Sequence, residues 1–116
     1  MGLKYVYVAG PYSFGNVTEN VRKAVDAATE LLDFGFVPYL PHLTHYWDMM
    51  HPRSYLDWCA FDLEWVLKCD AVLRLPGESG GADREVEFAR NHDIPVYGNI
   101  DDLIQAAKAR VDDVCE

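Results

Sequence analysis

Apolar residues along this chain follow two patterns that take turns: short continuous runs, and longer stretches in which they recur at helical spacing. Residues 4–9 are a run rich in Tyr and Val, closed by Gly10-Pro11, and read as a short buried strand ending in a turn. A loop over 10–16 follows. From Val17 onward Val21, Ala24, Val25, Ala28, Leu31 and Leu32 fall on one helical face, with Asn16 or Thr18 as the cap and Gly35 as the stop. Residues 36–40 form the next strand, and 41–53 read as a long loop holding three histidines, Trp47 and two methionines. Ser54, with Asp57 three residues on, opens a helix that runs to about Lys68.

That helix is apolar on nearly every side, through Tyr55, Leu56, Trp58, Cys59, Phe61, Leu63, Trp65, Val66 and Leu67. Such a surface is expected to be buried twice, against its own sheet and against another subunit. A strand over 70–75, a helix over 81–91, a strand over 94–97 and a helix over 101–111 complete the pattern, with an acidic tail expected to fray. Strands and helices alternate, which predicts a parallel, doubly wound sheet in a single domain over 1–116. The expected class is therefore α/β, a flavodoxin-like or Rossmann-like three-layer fold with four or five strands.

Composition narrows the classes of partner. A chain of 116 residues has little room for a separate substrate domain, so a site shared between subunits, in a homodimer or larger assembly, is an expectation. The formal net charge of −9 argues against a nucleic-acid-binding face, because polyanion binding needs clustered cations. Three cysteines without paired spacing argue against a disulfide framework. With no leader pattern and no apolar stretch of spanning length, no membrane partner and a cytoplasmic location are expected.

The run Leu75-Pro76-Gly77-Glu78-Ser79-Gly80-Gly81-Ala82-Asp83-Arg84-Glu85 writes a strand end, a glycine turn and a helix start in succession. Glycines let main-chain N–H groups approach a ligand closely, and the first helical turn presents unpaired donors at a positive dipole end. That combination suits an anion or a sugar phosphate. Glu85 follows about one helical turn later, on the rim of the cradle. Its nearness to the helix start should favour the ionised form by about 0.3–1 kcal/mol. Read alone, it is better taken as a first-turn acid with no role beyond answering the dipole. Asp62 lies in an otherwise apolar helix, where a carboxylate needs a partner or a ligand; the alternative is an exposed stripe with Asp57 and Glu64. Tyr7 can likewise be a strand aromatic whose hydroxyl finds any acceptor.

Three pieces in order carry a resemblance: Tyr7-Val8-Ala9-Gly10-Pro11, Asp62-Leu63-Glu64-Trp65 ahead of Asp70-Ala71-Val72, and Ser79 through Glu85-Val86-Glu87-Phe88-Ala89. Together they resemble the nucleoside 2-deoxyribosyltransferase family, including its small branch of 2′-deoxynucleoside 5′-monophosphate N-hydrolases, over nearly the whole chain. The resemblance implies that Glu85 is the nucleophile at the anomeric carbon, that Asp62 contacts a sugar hydroxyl and that Tyr7 positions the glutamate. It also implies that Gly10, Pro11, Ser79, Gly80 and Gly81 hold the 5′ end of the substrate. Ser79 stands where the monophosphate branch has a phosphate-binding serine and the free-nucleoside transferases a carboxylate. Glu87 departs from the family, which has a small residue there. The piece 76–81 is also similar to the loop of the cytokinin-activating phosphoribohydrolases, whereas Pro41-His42-Leu43-Thr44-His45 matches neither pattern.

Cleaving an N-glycosidic bond passes through an oxocarbenium-like state, which needs an anion beneath the anomeric carbon. Glu85 can supply it. His42, His45 and His51 with Asp48 are too loosely spaced for a metal site and read as a lid or a subunit contact, so no metal or cofactor is expected. Arg53, Arg74 and Arg84 are candidate phosphate or partner contacts. A non-catalytic nucleotide sensor using the same cradle is the rival expectation.

Overall fold

The central strand β1, Tyr5–Ala9, explains why its run is continuous: Val6 and Val8 are fully buried on one face of the sheet and Tyr7 and Ala9 on the other. The computed structural model describes residues 2–115. Helix α1, Val17–Asp33, is capped by Asn16, whose side chain accepts from the Glu19 N–H, and buries Val21, Ala24, Ala28 and Leu31. Gly35 turns the chain at φ +90° into β2, Val37–Tyr39.

After a single 3-10 turn at Pro41–Leu43 comes a short helix α2, Thr44–Met50. Helix α3, Tyr55–Lys68, is capped by Ser54, whose hydroxyl accepts from Asp57 N–H at 3.1 Å. Then follow β3, Ala71–Arg74, α4, Gly80–Asn91, β4, Val96–Tyr97, and α5, Ile100–Cys115.

All four strands are parallel, in the order β2-β1-β3-β4. One core layer joins Val6, Val8, Ala71 and Leu73 to α1 and α5 through Ala24, Leu31 and Leu103. The other joins Tyr7, Ala9 and Val72 to α3 and α4 through Val66, Ala82, Val86 and Ala89. This is the flavodoxin-like or Rossmann-like three-layer α/β fold that the alternation of elements predicts. The chain leaves β1 toward β2 and returns on the other side as β3. The carboxyl ends of β1 and β3 therefore flank the topological switch point, where ligands of such sheets bind.

Three expectations change. The segment 41–53 is not a loop throughout, because α2 occupies its middle and is held by side-chain contacts rather than by buried residues of its own. Helix α3 has only Val66 fully buried, and Tyr55, Leu56, Trp65 and Leu67 are exposed, so its outer face is uncovered in the single chain. Helix α5 continues past Val111 to Cys115 instead of fraying there. Among the described residues no helix is long and apolar enough to cross a membrane.

Candidate active site

At the switch point the loops after β1 and β3, together with α2 and the facing turns of α3 and α4, enclose a cavity of about 580 Å³. The two loops are fitted to each other by glycines. A Cβ on Gly10 would meet the Leu75 side chain at 3.0 Å, and one on Gly77, at φ +114°, would meet Pro11 Cγ at 2.8 Å. Arg74 braces the second loop by donating to the carbonyls of Leu75 and Gly77 and pairing with Asp83 at 3.0 Å. Its guanidinium is thus engaged on the turn and does not line the cavity.

Glu85 of α4 and Asp62 of α3 line this cavity side by side, as do Gly10, Ser79, Gly80 and Gly81. Pro11 does not line it. Its ring lies where a Cβ on Gly77 would fall, and its carbonyl oxygen faces His42. Tyr7 lies beneath, wholly buried in β1, and donates its hydroxyl hydrogen to Glu85 Oε2. Tyr39 stacks on Tyr7 with ring centroids 5.6 Å apart, and Trp65 stacks on Tyr39 at 4.9 Å. This stack holds the phenol in place. Burial, then the charge of Glu85, raises the Tyr7 pKa well above the usual phenol value, so Tyr7 remains a donor.

Both carboxyls are less acidic than free ones. Burial pushes Glu85 up to about 7, against the opposing pull of the Tyr7 hydrogen bond and the charges of Arg74 and Arg84. The rise exceeds what the helix dipole can oppose, because one pKa unit corresponds to about 1.4 kcal/mol and the dipole supplies about 0.3–1 kcal/mol. The expectation of a readily ionised Glu85 is corrected accordingly. Asp62 is also pushed up to about 7, by burial first and by the Glu85 charge second. Its Oδ1 is buried without a hydrogen-bond partner. A donor and two cations favour the anion at Glu85, and among the described residues none does so at Asp62. The first proton to leave the pair therefore comes from Glu85, and Asp62 keeps its own.

Ser79 caps α4, its Oγ accepting from Ala82 N–H at 3.0 Å. Since that bond uses an oxygen lone pair, the hydroxyl hydrogen is left to donate. Gly80 and Gly81 present main-chain N–H groups beside it at the positive end of the helix. Arg84 lines the same end and donates to the Tyr55 hydroxyl.

The other wall belongs to the loop after β1 and to α2. Tyr12 Oη and His45 Nδ1 lie 2.5 Å apart, and His42 Nε2 lies 2.9 Å from the Pro11 carbonyl oxygen. A carbonyl only accepts, so His42 carries its proton on Nε2. Burial lowers its pKa, which keeps the ring neutral. His45 of α2 and His42 of the preceding 3-10 turn therefore fasten this segment to the β1 loop. Among the described residues no group of His, Cys, Asp and Glu is arranged to hold a metal ion. Tyr12, Trp58 and Asp48 also line the cavity, and sequence reasoning gave none of them a part in a ligand site. The available signal for Tyr12 was its place directly after the Gly10-Pro11 turn.

Comparison with curated proteins finds no match for the chain. Residues 4–99, which include every residue of the site described above, match a family described as a domain of unknown function, DUF7768. The chain therefore belongs to the DUF7768 family.

Proposed function

We propose that the protein cleaves or transfers at the N-glycosidic bond of a 2′-deoxyribonucleoside 5′-monophosphate, with Glu85 as the nucleophile. The observation that carries this reading is the Tyr7 hydroxyl aimed at Glu85 from beneath a cavity of about 580 Å³, a size suited to a small-molecule ligand. In this reading the α4 N-terminus takes the 5′-phosphate through Ser79, Gly80 and Gly81, with Arg84 alongside. That end fixes the sugar over the two carboxyls.

Glu85, ionised and held by Tyr7, attacks the anomeric carbon from the face opposite the base. The carbon–nitrogen bond breaks, its electron pair leaves with the base, and a glycosyl ester forms on Glu85 Oε. Asp62, still protonated, donates to a sugar hydroxyl. Water or a second base then opens the ester and frees Glu85, and the proton it gives up neutralises the base anion that left. Similarity to the nucleoside 2-deoxyribosyltransferases points the same way, through Tyr7, Asp62, Ser79 and Glu85. The exposed apolar residues of α3, Leu56, Trp65 and Leu67 among them, support a homodimer as the working form.

The test is incubation with deoxynucleoside 5′-monophosphates and chromatography for free base, wild type beside Glu85→Ala. Base released by the wild type alone supports the enzyme. Binding by both proteins with release by neither makes the domain a nucleotide sensor and overturns the catalytic reading.

A further inference from the structure

Asp48 is held by only one of its carboxylate oxygens. The Trp58 indole Nε1–H and the Arg53 main-chain N–H both donate to Oδ1, at 2.7 and 2.9 Å, and among the described residues no hydrogen bond reaches Oδ2. The residue lines the cavity. The two donors on Oδ1 also pull its pKa below the ordinary carboxylate value, so Asp48 is an anion at neutral pH. Asp48 is half-buried, and as a fixed anion with one free oxygen on a cavity wall it can receive a donor from a ligand bound there.

Charge decides which part of a nucleotide that is. A phosphate is repelled by Asp48 and drawn to the α4 N-terminus, where the bare amides and Arg84 lie and where Tyr55 stands 3.6 Å from the Cβ position of Gly81. The sugar belongs over Glu85 and Asp62. What remains for the α2 side is the base, on the part of the cavity that Tyr12 and Trp58 line. Asp48 accepts from that same Trp58, so an aromatic residue of the wall and an acceptor for the edge of a base are held together.

Resting on the function proposed above, we infer that Asp48 Oδ2 reads the base and selects bases with an exocyclic amino group over their keto counterparts. An amino group donates to Oδ2, whereas a keto oxygen in its place sets two acceptors against each other. Cytosine and uracil, or adenine and hypoxanthine, are nearly the same size, so the discrimination comes from this contact and not from fit.

The test measures binding by calorimetry in a Glu85→Gln background, where turnover does not consume the ligand. It uses dCMP against dUMP and dAMP against dIMP, with deoxyribose 5-phosphate as a ligand that lacks the base. The amino member of each pair is expected to bind roughly tenfold tighter. Adding Asp48→Asn keeps Oδ1 as the acceptor for Trp58 and Arg53 but turns the free atom into an NH₂ donor. The preference should then invert toward dUMP and dIMP, with deoxyribose 5-phosphate binding unchanged. Nucleotide binding with no amino preference, or a preference that Asp48→Asn leaves as it was, overturns this inference alone. Absence of binding by every nucleotide overturns it together with the function on which it rests. Tryptophan fluorescence and the melting temperature establish that the double variant is folded.

Discussion

Replacing Tyr7 with Phe removes one oxygen atom and keeps the ring that stacks on Tyr39 at 5.6 Å between centroids. The lost contact is the hydroxyl that donates to Glu85 Oε2 from a wholly buried position. A hydrogen bond to a charged acceptor contributes about 1.5–3 kcal/mol, and one pKa unit corresponds to about 1.4 kcal/mol. Glu85, already at about 7 through burial, should therefore rise by about one to two units in Tyr7→Phe. The expected signature is displacement of the acid limb of the pH profile of kcat/KM upward by that amount. At neutral pH this becomes a loss of about fivefold to fiftyfold, largely recovered at high pH. Carbon-13 NMR of the glutamate side-chain carboxyls reads the same shift without reference to activity. An acid limb and a Glu85 titration both unmoved by the substitution would refute the argument that Tyr7 tunes this carboxylate.

Glu85→Gln tests the burial argument through stability. The folded chain holds the Glu85 proton up to about 7 and an unfolded one releases it near 4.5, so in that window the native state binds more protons and native stability falls as pH rises. Glutamine has no proton to lose. The variant should exceed the wild type by about 1–3 kcal/mol in urea titrations above about pH 7 and converge with it near about pH 4, and equal stability throughout would contradict a buried carboxylate. Ser79 carries two roles that separate by substitution. Ser79→Ala should cost about 1 kcal/mol through the lost α4 cap and also weaken deoxyribose 5-phosphate binding, whereas Ser79→Gly should cost only a few tenths yet weaken binding as much. Undiminished binding in both variants, followed by calorimetry, would remove Ser79 from the phosphate end.

The sheet was legible because its central strands are buried on both faces, which turns 4–9 and 70–75 into continuous apolar runs bounded by turn residues. Glu85 was legible as an acid one turn past a glycine run, and Asp62 as a carboxylate in an apolar helix; both line one cavity. Their protonation was not legible, since it depends on how burial, a phenol from β1 and two arginines balance, and these groups are distant in sequence. Helix α2 was hidden for a related reason. Its seven residues bury none of their own side chains, and its fastening points, Tyr12 for His45 and Trp58 for Asp48, come from other elements. Asp48 stood in the sequence as one acid among loose histidines, and only the folded chain displays its open oxygen. The fit of Pro11 against Gly77 was not legible either, since it joins two loops far apart in sequence.

The most direct test of the account is peptide mass spectrometry of the protein after incubation with a deoxynucleoside monophosphate bearing fluorine at C2′. The electron-withdrawing fluorine slows breakdown of a glycosyl ester and lets it accumulate. The account predicts a sugar-phosphate adduct on the peptide that contains Glu85, absent from Glu85→Gln. Release of base with no adduct at any time, or an adduct on another residue, would contradict Glu85 as the nucleophile.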